Sequence, residues 1–106
     1  MEQDNAISVP DLQLQGEFTC TASPVRASGT VAQHAFYFRA RHDSWSFAVA
    51  LRPEVDPVDI DFPEQGFIRE GSYGSARRSD ASYMPLEEAR RIIAECAREF
   101  FRDHAA

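Results

Sequence analysis

An α+β fold, an antiparallel sheet of three to five strands packed by one C-terminal α-helix, is expected for this chain on three observations. Apolar and polar residues alternate with period two over 12–20 and again over 31–51. The period then lengthens to three and four over 86–102, the spacing of an amphipathic helix. At 106 residues, 43% hydrophobic and 26% charged, the chain has the size and composition of one globular domain with one core.

Taken in order, residues 1–10 are polar and acidic at their start and are expected to form a flexible N-terminal segment of the single domain 1–106. Over 12–20, Leu12, Leu14, Gly16, Phe18 and Cys20 share one side and Gln13, Gln15, Glu17 and Thr19 the other, which describes a half-buried strand. Residues 21–30 carry Ser23, Pro24, Ser28 and Gly29 and read as a loop. Alternation resumes over 31–41 with His34, Phe36, Phe38 and Ala40 on one face. It continues over 44–51 with Trp45, Phe47, Val49 and Leu51, and the polar step His42-Asp43 between the two runs makes a hairpin.

Pro53 and Pro57 then break the sheet, because each lacks a backbone N–H. Val58, Ile60 and Phe62 alternate with Asp59 and Asp61, the pattern of a short edge strand with an acidic outer side. A further strand is expected around 67–70 and a long loop over 71–82. Pro85, Glu87 and Glu88 mark a helix start, since proline is tolerated in a first turn and acids complement the positive end of the helix dipole. Leu86, Ala89, Ile92, Ile93, Cys96, Ala97 and Phe100 form its apolar stripe. The expected core is Phe36, Phe38, Trp45, Phe47, Val49, Ile93, Ala97 and Phe100.

Several function classes are disfavoured by these residues. A formal charge of -6 opposes a phosphate backbone, so nucleic acid is not an expected partner. No apolar run approaches the roughly 20 residues a membrane-spanning helix requires, so no membrane partner is expected. The acidic N-terminus is unlike a secretory signal, and the separated Cys20 and Cys96 suggest neither a disulfide framework nor a zinc site; a soluble protein of the reducing cytoplasm is the expectation. His34, His42 and His104 fall in no metal-ligand spacing, and His34, sharing parity with Phe36, reads as a core or rim histidine. Catalytic residues, metal and cofactors are therefore expected to be absent.

Two segments stand out as partner-binding candidates. Between Arg52 and Arg69 lie five carboxylates, Glu54, Asp56, Asp59, Asp61 and Glu64, and no basic residue. Asp59 and Asp61, two apart on a strand, would share a face and could hold a divalent cation, but no ligand-rich loop accompanies them. The loop residues Tyr73, Arg77, Arg78 and Tyr83 combine guanidinium forks and phenols, the side chains that interfaces use most. The outer hairpin face, with Tyr37, Arg39 and Arg41 beside Ser44, Ser46, Ala48 and Ala50, is mixed in character and is a surface on which a second copy could dock.

The resulting functional expectation is a small, acidic, non-catalytic protein-binding module of the inhibitor, immunity or adaptor type, engaging a basic partner surface. Acidic patches steer such encounters and fix their orientation. The alternatives are a small enzyme or ligand-binding protein with a pocket between helix and sheet that uses His34, Trp45 and the arginine loop, and a structural subunit or homodimer.

Overall fold

A computed structural model of the protein describes residues 5–21, 24–60, 66–74 and 80–104. Six strands run in sequence order, each antiparallel to the next: β1 (Ala6–Val9), β2 (Leu14–Thr21), β3 (Val25–Val31), β4 (His34–Arg41), β5 (Ser44–Ala50) and β6 (Gly66–Ser72). The helix α1 (Leu86–His104) follows. The α+β class and the C-terminal helix agree with the sequence, whereas the sheet has six strands rather than three to five.

The additional strands come from two places. Ala6–Val9, inside the segment expected to be flexible, alternates over only four residues and forms the edge strand beside β2. Val25–Val31, read as loop on its Ser28-Gly29 pair, is a central strand whose Val25, Ala27 and Val31 are fully buried. Gly29 is there for space: it lies opposite Gly16 on β2 and Phe36 on β4, and a side chain at either glycine would collide with the neighbouring backbone. The Phe36 ring fills the room that the two glycines leave.

Along β4 the side chains of Phe36, Phe38 and Ala40 point to one face, joined there by Leu14, Phe18, Val25, Ala27, Val31, Phe47, Val49 and Phe67. α1 covers this face with Ala89, Ile92, Ile93, Cys96, Ala97 and Phe100 in a single apolar cluster. Phe47 sits between Phe36 and Phe67, with ring centroids 5.5 and 6.4 Å away. Trp45, expected in the core, is half-buried at its margin and stacks on Phe38. Arg90 ties the helix to the sheet edge, its Nε donating to the Ala6 carbonyl at 3.2 Å.

Both inner hairpin turns hold residues other than glycine in left-handed backbone. Ala32 and Gln33 have φ of 50° and 70°, the geometry of a two-residue primed turn that follows the sheet twist. His42, with φ 60°, makes the β4–β5 turn and is fixed from outside. Its N–H donates to the Ser82 hydroxyl at 3.0 Å, and its carbonyl accepts from Ala81 N–H at 2.8 Å. The 3-10 turn Asp80–Tyr83 is thereby held against this hairpin. A strained conformation persists where surrounding bonds determine it in this way.

The expected edge strand at 58–62 is not formed where the structure describes it. Residues 57–59 make a 3-10 turn, Pro57–Asp59, capped by the Asp56 side chain, which accepts from Val58 N–H at 3.0 Å. Asp59 therefore does not pair with a neighbour on a strand face, and Asp61 lies outside the described residues. Two prolines and an Asx cap outweigh an alternation of only three apolar residues.

Candidate functional site

α1 covers one face of the sheet and leaves the opposite face without a helix. Outward on β3, β4, β5 and β6 point Arg26, Ser28, Tyr37, Arg39, Arg41, Ser44, Ser46, Ala48, Ala50, Ile68 and Glu70, as the pairing register and the burial of the alternate residues show. One end of this face carries a second, small apolar cluster. Ala48, Ala50 and Ile60 are buried together, with Val55 and Ile68 packed against them. The segment after β5 thus folds back over the sheet as a flap instead of extending it.

That flap displays part of the acidic patch. Glu54, Asp56 and Asp59 are exposed, and none forms an ion pair with a described residue. Val58, in their midst, is 57% exposed. Asp61 and Glu64 lie outside the described residues, as do Arg77 and Arg78. Of the remaining loop candidates, Tyr73 is half-buried against the main core and its N–H donates to the Asp43 carbonyl at 2.7 Å, a structural role. Tyr83 is 63% exposed and stands at the far end of the outer face, beyond the β4–β5 turn. The acidic residues and Tyr83 therefore flank one surface from opposite ends.

Between them lies a feature that only partly emerges from the sequence. Arg39 borders both the groove under the flap, beside Tyr37, Pro57, Val58 and Ile68, and the groove at the other end, beside Arg26, Arg41, His42 and Tyr83. Arg26 and Arg39 are direct cross-strand partners, and Arg41 is the next outward residue on β4. None of these three guanidinium groups bonds to a described residue, and the Nε of Arg39 is buried with no hydrogen-bond partner. The arginines of the helix side contrast with them. Arg69 pairs with Glu99 at 2.8 Å, and Arg91 pairs with Glu88 and Glu95.

Alternation in the sequence places Arg39 and Arg41 on this face but not Arg26, because Ser28 and Gly29 give 21–30 the composition of a loop. The signal available was the alternation Val25, Ala27, Gly29, Val31, obscured by its small residues. Cys20 departs from the face that its parity predicts. A bulge between Phe18 and Cys20 shifts the register by one residue, so that Cys20 pairs with Arg26 and turns outward, away from Leu14 and Phe18.

The remaining titratable groups serve packing. His34 is half-buried, with Nδ1 3.2 Å from the Ala50 carbonyl and its ring edge-on to Phe100. His104 stacks on Phe100 with ring centroids 4.6 Å apart. His34 and Trp45 occupy opposite ends of the β4–β5 hairpin, so they do not line one shared pocket. Cys96 is buried beneath α1, and that burial, with the Glu99 carboxylate, pushes its thiol up to about 12. Among the described residues, no three of His, Cys, Asp and Glu converge as a metal site, and no helix is long and apolar enough to cross a membrane.

Comparison with family models, curated proteins and solved structures returns no match.

Proposed function

We propose that this chain is a small non-catalytic protein-binding module whose acidic flap, at one end of the outer sheet face, engages a basic partner surface. The observation that carries this reading is the setting of Val58. It is an apolar side chain left more than half in water, on a turn whose neighbours Glu54, Asp56 and Asp59 are exposed and unpaired among the described residues. An apolar contact inside a charged rim is the anatomy of a recognition surface. The flap is anchored through Val55 and Ile60 on the sheet, so little ordering entropy would be lost on binding.

Three carboxylates near one apolar contact would accelerate encounter with a cationic surface and set its orientation. The test is capture from lysate of the source cells at low and high salt, with wild type and the variant Glu54→Gln/Asp56→Asn/Asp59→Asn compared. Asn at 56 keeps the capping oxygen, so the flap stays folded. A partner held by this surface is recovered by wild type at low salt and lost both at high salt and from the variant. Equal recovery by the variant would refute the assignment.

A further inference from the structure

We infer that the outer face binds a phosphate-class dianion, a free phosphate or a phosphomonoester, between Arg26, Arg39 and Arg41. This inference is independent of the acidic flap and its partner.

The argument begins with cost. Like charges directly opposed across two strands destabilise a sheet, and Arg26 and Arg39 are so opposed in its centre. Every cation of this chain is an arginine. A buried lysine can escape its desolvation by losing a proton, whereas a guanidinium keeps its charge. The Arg39 Nε, buried and without a hydrogen-bond partner, is therefore an unsatisfied donor on a permanent cation. The chain has 17 carboxylates, yet no described one is spent on these three residues, while helix-side arginines such as Arg69 and Arg91 have theirs. Arg26 and Arg41 are exposed and Arg39 half-buried, so an anion seated in the groove that all three line would offset the three charges at once.

The surroundings define the class of anion. The groove at this end, about 380 Å³ in volume and open to solvent, is lined by Arg26, Arg39, Arg41, His42 and Tyr83 with no carboxylate in its wall, and Glu70 stands in the adjoining groove on the β5–β6 side of Arg39 and Arg41. Three planar forks suit the several oxygens and double charge of a phosphate better than the two oxygens of one carboxylate. The His42 turn is pinned by Ser82 and Ala81, which holds Arg41 and Tyr83 in fixed relation. Tyr83, largely exposed at the rim, offers a ring face to the organic part of an ester.

The experiment titrates the folded protein with inorganic phosphate, phenyl phosphate and malonate at constant ionic strength, following the Arg39 Nε–H resonance and the binding isotherm. Phosphate is expected to bind saturably and to shift that resonance. Arg39→Gln should weaken binding about tenfold, the equivalent of one charge-assisted hydrogen bond, while Arg98→Gln on the exposed face of α1 leaves it unchanged. Tighter binding of phenyl phosphate than of phosphate would identify an ester as the ligand, and equal binding a free phosphate. No saturable binding, malonate binding as tightly as phosphate, or an unaltered affinity in Arg39→Gln would overturn the assignment.

Discussion

Arg26 on β3 and Arg39 on β4 face each other on the outer side of the two central strands, with no carboxylate between them among the described residues. Directly opposed side chains on neighbouring strands have Cβ atoms only about 4.5–5.5 Å apart, so the repulsion is built into the register. Arg26→Gln should accordingly stabilise the ligand-free protein by roughly 0.2–1 kcal/mol in low salt. Urea unfolding at two ionic strengths checks this, with the gain shrinking as salt screens the pair. A loss of stability on substitution would mean that Arg26 has a structural partner.

Phe47 is fully buried and flanked by Phe36 and Phe67. Phe47→Ala should cost about 3–5 kcal/mol, because the rigid sheet and helix cannot collapse into the vacated volume. Chemical denaturation measures the loss. A cost under about 1 kcal/mol would be incompatible with the register described.

Cys96 gives the protein an alkaline weakness. Its thiol is raised to about 12 in the folded state from an ordinary 9.0. The unfolded chain therefore releases this proton first, and between those values the folded state holds more protons than the unfolded. The contribution is fully present below pH 9 and declines as pH rises toward about 12. Cys96→Ala should flatten that part of the stability profile, as followed by urea unfolding across the range. In the folded protein at neutral pH, a thiol reagent should label the part-exposed Cys20 well before the buried Cys96.

Much of the sheet could be read from periodicity because its apolar residues are large where they alternate. Phe36, Phe38, Phe47 and Val49 declare a hairpin, and Ile92, Ile93, Cys96 and Phe100 declare the helix over it. β3 is not legible in the sequence because Ala27 and Gly29 bury little surface of their own, and Gly29 is held small by the close backbone of β2. The flap is not legible because proline positions and the Asp56 cap override the alternation of Val58 and Ile60. Cys20 was assigned to the wrong face because a bulge leaves no mark in a pattern of period two. The acidic residues were legible as a charge run, whereas the arginine group exists only once three strands are in register.

Backbone hydrogen exchange on the complex formed with a partner captured at low salt locates the interface itself. Binding through the outer face should slow exchange at residues 52–60 of the flap and leave the exposed side of α1 unchanged relative to the free protein. Protection confined to α1, with the flap exchanging as fast as it does alone, would contradict the assignment of the flap as the recognition surface.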